Sequence, residues 1–164
     1  MRTIHPYLHL VGFILVLLTS GCTDTLGELP DFKLKKTDQS EVSVSKIIQD
    51  KPAMIVHFDA DCKGCQDEAE AIVKNIGQFG DIRIVFASLQ KFDKIDLFDR
   101  YFKLSQNKNI VVGQDYNNTI PTHFKTYTTP MIVLTDKTST VRKVIVGEIE
   151  MWRLKKFINE IHEL

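Results

Sequence analysis

The chain has 164 residues, 43% of them hydrophobic, which suits one domain with a sizeable core. Lysine plus arginine and aspartate plus glutamate each number 21, so the formal net charge is +0. With no basic excess nothing argues for a nucleic-acid partner, and no repeat that would signal a solenoid is visible.

The first residues do not read as part of a fold. Arg2 gives a positive start, Leu8 to Leu18 is apolar, and the small residues Thr19, Ser20 and Gly21 lead to Cys22. That layout is a secretory signal peptide. Its apolar run is short of the about 20 residues a membrane-spanning helix needs. Leu18-Thr19-Ser20-Gly21-Cys22 resembles the lipobox of bacterial lipoproteins. The resemblance implies that residues 1–21 are removed and that Cys22 is lipidated. The chain is then expected outside the cytoplasm (periplasm), with the lipid bilayer as a partner through Cys22. Residues 22–30, small and polar with Gly27 and Pro30, read as a tether to a domain over 31–164.

Phe32 to Lys35 alternates and predicts a short strand; Val42 to Ile48 predicts a short element and a helical turn. Ala53 to Phe58 is almost continuously apolar, as a central strand buried on both faces should be. Cys65, Ala69, Ile72, Val73 and Ile76 then fall on one face of a helix that ends at Gly77 and Gly80. Ile82 to Leu89 is a second strong strand. Ile95, Phe98, Tyr101 and Phe102 have near-helical spacing. A short strand at Asn109 to Val112 and a short helix in Thr119 to Tyr127, interrupted early by Pro121, come next. Met131 to Leu134 and Val141 to Val146 form a hairpin, and Met151, Leu154, Ile158 and Ile161 mark a final amphipathic helix. This order predicts an α/β fold with a mixed central sheet, parallel for the most part, and helices on both faces. Trp152 and the phenylalanines at helical spacing are expected in the core, as is a neutral His57.

Without Cys22, Cys62 and Cys65 are the only cysteines. A solitary close pair in an oxidising compartment reads as a redox couple. Structural zinc wants four ligands, and His57, His123 and His162 lie on different predicted elements, so no metal is expected. The pair sits where a strand ends and a helix begins. There the helix dipole and free N–H groups favour a Cys62 thiolate, the attacking species. Cys65, one turn on and on the apolar face, is the expected buried, resolving sulfur.

Strand, Cys62-Lys63-Gly64-Cys65, helix and then Thr128-Thr129-Pro130 before a strand resemble thioredoxin. The longer stretch between Cys65 and Pro130 is similar to the TlpA/ResA-type extracytoplasmic thiol–disulfide oxidoreductases, which are membrane-tethered. That resemblance implies a thioredoxin-like fold with Cys62 and Cys65 catalytic. It implies a cis Pro130 against them, and a Thr129 backbone offered to an extended substrate segment. Gly147 matches a glycine found after the hairpin. The cofactor complement is none beyond the redox-active Cys62–Cys65 disulfide. The partners implied are exported protein thiols or disulfides, apocytochrome c among the candidates, and a membrane electron-donor protein.

The surroundings depart from that family. Asp61 replaces a tryptophan before the first cysteine, Val56 a buried polar residue, and Glu70 a kinking proline. Glu68 matches a family glutamate but reads as a solvated acid near the helix start. Asp59 and Asp61 tune the pair by disfavouring the thiolate, and Lys63 offsets them in part. The expectation is a reducing or intermediate couple, nearer about −270 mV than about −120 mV. Other readings use the same fold. A peroxiredoxin wants Thr or Ser where Asp59 stands. A copper carrier wants wider cysteine spacing with a histidine such as His123. The last is a non-catalytic scaffold that binds a partner.

Overall fold

The computed structural model describes residues 26–164. The expected signal and the lipidation site Cys22 lie outside these residues. The elements are β1 (Lys33–Lys36), β2 (Glu41–Ser43), α1 (Val44–Ile48), β3 (Ala53–His57), α2 (Lys63–Asn75), β4 (Arg83–Ser88), α3 (Phe92–Phe102), β5 (Ile110–Gln114), α4 (Thr119–His123), β6 (Met131–Thr135), β7 (Val141–Val146) and α5 (Met151–His162). Pro121 is the third residue of α4, where its missing N–H would have had no helical partner.

The strands form one sheet in the order β2-β1-β5-β4-β3-β6-β7. Only β3, β4 and β5 run parallel to one another; the other ladders are antiparallel. The sheet is mixed as expected but not mainly parallel: two of its six ladders are parallel, and antiparallel pairs flank them on both sides rather than at the hairpin alone. At the β1–β5 junction a Cβ on Gly113 would stand 2.5 Å from the Lys35 carbonyl oxygen, so only glycine lets the strands meet there.

Strand pleating divides the apolar residues between two faces. Met54, Val56 and Phe58 join Phe86 and the inner sides of α2, α3 and α5. Ala53 and Ile55 join Val85, Ala87, Leu34, Ile48 and Ile120 on the other face. Phe58, directly after β3, stacks on Phe98 with centroids 4.4 Å apart and meets Phe86 edge-on at 5.8 Å. Such pairs contribute about 0.5–1.5 kcal/mol beyond area burial. They set the floor beneath the loop that carries Cys62. His57 is buried, with Nδ1 3.3 Å from the Ala87 carbonyl oxygen, and burial pushes its pKa below the usual histidine value. It is the neutral core histidine expected.

Two expectations need correction. The tether over 22–30 is bound to the domain from Leu26 onward. Leu26 N–H and Leu29 N–H donate to Val141 and Ser139 carbonyls, and Leu29 is buried. Open backbone at the start of β7 takes up this segment, so the domain begins before residue 31. Trp152 is 66% exposed, because α5 buries Leu154, Ile158 and Ile161 and Trp152 lies off that stripe.

Candidate functional site

Three segments that are distant in the sequence meet above the C-terminal end of β3. They are the loop 59–61, the first turn of α2, and the approach to β6. Cys62 is the N-cap of α2, with extended backbone (φ −81°, ψ 120°), and its Sγ accepts the Cys65 N–H at 3.3 Å. A backbone N–H at a helix start favours negative charge on the atom it points at. Cys62 Sγ also lies 3.7 Å from the Thr129 carbonyl oxygen. Thr129–Pro130 is cis, as the resemblance implied. The Pro130 carbonyl accepts Gly147 N–H at 2.8 Å, and Gly147 has φ +88°, which suits glycine. The fold thus brings Cys62, Cys65, Thr129 and Pro130 together.

Both thiols are free, and they differ in access. Cys62 is half-buried; Cys65 is 1% exposed and is the inner sulfur. Asp59 N–H donates to Cys65 Sγ at 3.5 Å. Burial nonetheless dominates and pushes the Cys65 thiol up to about 12.

The charged residues are arranged differently from the expectation. Lys63 does not offset Asp59 and Asp61: it is exposed and paired with Asp67 one turn along α2, and that contact raises its pKa. Lys94 of α3 takes the role, with Nζ 2.8 Å from Asp61 Oδ1, and holds the Asp61 carboxyl below the usual carboxylate range. Gln90 completes the arrangement by donating to both Asp59 and Asp61. Neither partner was visible from the sequence, since both come from a segment that only the fold brings to this loop.

Glu68 is not a solvated acid. It is 4% exposed; Oε2 accepts Ile149 N–H at 3.4 Å, and buried Oε1 has no partner among the described residues. Burial pushes its pKa up to about 7. The signal was present: Glu68 is three residues from Cys65 and four from Ile72, on the buried stripe of α2. The Glu148 carboxylate packs against Gly64, where an added Cβ would meet its Oε1 at 2.6 Å. Glycine between the cysteines therefore lets an acid lie over the motif. Among the described residues, no group of three or more His, Cys, Asp or Glu stands together so as to hold a metal ion.

A dithiol of this geometry, one sulfur accessible at a helix start and one buried behind it, can exchange with an external disulfide. The AhpC/TSA family model matches residues 26–144, most of the chain, with the cysteine pair, Thr129 and Pro130 inside the match. The chain belongs to the AhpC/TSA family. Its fold is thioredoxin-like. A secreted Mycobacterium tuberculosis disulfide oxidoreductase homologous to E. coli DsbE superposes with TM-score 0.67 at 14% identity, over 79% of this chain and 95% of that one. StoA from Bacillus subtilis gives 0.61 at 15%, over 78% and 96%. The peroxidoxin BcpB of M. tuberculosis gives 0.70 at 18%, over 85% and 97%. At these identities the likeness is one of fold. No curated protein matches the sequence. As an AhpC/TSA member on a thioredoxin-like frame, the protein falls among redox enzymes whose structural neighbours include both thiol–disulfide oxidoreductases and peroxiredoxins.

Proposed function

We propose that this AhpC/TSA member is a TlpA/ResA-type thiol–disulfide oxidoreductase that reduces or isomerises disulfides of exported proteins. The observation that carries the reading is the N-cap placement of Cys62. Its sulfur accepts the Cys65 N–H and faces the Thr129 carbonyl beside cis Pro130.

In the reaction, the Cys62 thiolate attacks one sulfur of a substrate disulfide, forming a mixed disulfide and releasing one substrate thiolate. The Cys65 thiol then loses its proton and attacks Cys62 Sγ. The second substrate thiolate leaves and takes up a proton, and the Cys62–Cys65 disulfide remains. Two electrons pass to the substrate, and a membrane electron-donor dithiol restores the pair. Burial makes the Cys65 proton hard to release near neutrality, and Glu68, one turn away, is the buried group suited to receive it. Thr129 and Pro130 line the substrate segment; Asp59 and Asp61 tune the couple toward the reducing or intermediate range, and Lys94 offsets them in part. The lipobox-like Leu18–Cys22 supports an extracytoplasmic site on a bacterial membrane, anchored through Cys22. No cofactor beyond the cysteine pair and no metal is invoked.

The test is trapping. Cys65→Ser, expressed in the native envelope, should accumulate mixed disulfides through Cys62, and mass spectrometry of the captured partners names the substrates. Absence of adducts sinks the enzymatic reading in favour of a binding scaffold. Family membership and the peroxidoxin neighbour favour a second reading, peroxide reduction by Cys62. Rapid thiol-dependent consumption of hydrogen peroxide by the wild type would select it.

A further inference from the structure

Asp59 and Asp61 place two carboxylates within three residues of the attacking sulfur. Left alone they would repel one another and disfavour the thiolate that exchange requires. Lys63 is held by Asp67, Lys94 reaches Asp61, Glu148 lies over Gly64, and Glu68 is buried behind Cys65. No cation contacts Asp59 among the described residues. Its side-chain donor is Gln90, in the turn between β4 and α3.

Gln90 uses every polar group it has. Nε2 donates to Asp59 Oδ1 at 3.0 Å and to Asp61 Oδ2 at 3.2 Å, while Oε1 accepts Ala60 N–H at 2.7 Å. Its own backbone is fixed at both ends: N–H donates to the buried Ser88 hydroxyl at 3.2 Å, and the carbonyl accepts Gln114 Nε2 at 2.9 Å. Only a primary amide combines two donors and an acceptor in this way; glutamate has no donor and lysine no acceptor. The loop that Gln90 grips touches both cysteines through one residue. Asp59 N–H points at Cys65 Sγ, and the Asp59 carbonyl accepts Cys62 N–H at 3.1 Å. Strand ends β4 and β5 are thereby connected through Gln90 to the two sulfurs.

We propose that Gln90 is a positioning residue for the cysteine pair: its amide holds both loop carboxylates and the Ala60 backbone so that Cys62 is presented as the attacking sulfur. The inference rests on the exchange chemistry proposed above, but its test does not depend on the substrate. In the full, reduced chain, the rate of Cys62 alkylation by iodoacetamide is followed against pH, with peptide mapping. The equilibrium of the pair with glutathione is measured alongside. Gln90→Leu should move the alkylation profile to higher pH, with the rate at pH 7 falling about fivefold. Gln90→Glu, which adds a third carboxylate, should lower it further. Because the reduced form is the one destabilised, the glutathione equilibrium should shift toward the Cys62–Cys65 disulfide.

Adding Asp59→Asn to Gln90→Leu should recover most of the lost rate, since the charge that needed holding is gone. A loop that had merely melted would not recover. Gln114→Leu, which loses only the bond to the Gln90 carbonyl, should move the profile in the same direction by less. It decides the matter if Gln90→Leu does not fold. Unchanged profiles in folded Gln90 variants, or no recovery with Asp59→Asn, overturn the proposal. A wild type that forms no Cys62–Cys65 disulfide in any glutathione buffer overturns the exchange reading instead, and the alkylation profiles still judge Gln90.

Discussion

The two sides of the cysteine motif carry acids in opposite states. Before Cys62, Asp61 is exposed and bonded to Lys94 and Gln90, so its carboxyl stays below the ordinary range. After Cys65, Glu68 is buried with one oxygen unpartnered, and its carboxyl is pushed up to about 7. One side holds fixed charge; the other holds a group that gains and loses a proton near neutrality. The difference lies in what packs against each acid. Loop 59–61 is open to solvent and met by polar side chains, whereas the α2 stripe faces an apolar core and a single backbone N–H.

The comparison can be broken most severely at its shared support. Phe98 stacks on Phe58 beneath the loop and packs in the same core as α2. Phe98→Ala should cost about 3–5 kcal/mol in urea melts, and both sides should lose their order together. A variant that leaves the loop bonds intact at normal stability would show that the sides are independent.

Next in size is Glu68→Gln. The folded-state pKa of Glu68 lies above its ordinary value of 4.5, so the unfolded chain ionises first as pH rises. Ionisation therefore weakens the fold between about pH 4.5 and 7. The variant should be more stable than the wild type by about 3 kcal/mol at pH 8 and no different at pH 4. Equal stability at both values would place Glu68 in water. If Glu68 receives the Cys65 proton, the same variant should slow release of the second substrate thiol about tenfold. The inflection near pH 7 in that step should vanish in single-turnover assays; a retained inflection assigns the proton elsewhere.

The smallest effect belongs to the other side. Lys94→Met removes an exposed partner of Asp61, and pairs of this kind contribute little and are screened by salt. Melting should be unchanged, while Cys62 alkylation at low ionic strength should slow slightly. That difference should disappear in concentrated salt. Persistence at high salt would mean that Lys94 acts through packing rather than charge.

Much of this was legible in the sequence because it is encoded locally. The run Ala53–Phe58, the helical stripe from Cys65 and the hairpin at Met131–Val146 each bury residues at the period of their own element. Cys62, Cys65 and Pro130 belong to motifs whose pattern placed them at a helix start and before a strand, where they lie. Glu68 was misjudged although its periodicity put it on the buried stripe, because a charge at a helix start is usually solvated. Trp152 was misjudged for the opposite reason, since apolar character alone does not say which side of a helix meets the core.

By itself, then, the sequence determined which residues form elements and which two sulfurs stand as a close pair at a helix start, since backbone period and motif spacing are local properties. Only the tertiary structure decided what surrounds those sulfurs. Gln90 and Lys94 lie about thirty residues from the loop they hold, and Glu148 lies farther still from the Gly64 it covers. Electrostatic and hydrogen-bonding partners are set by distance in space, and that distance exists only once the sheet has brought β3, β4 and β6 side by side.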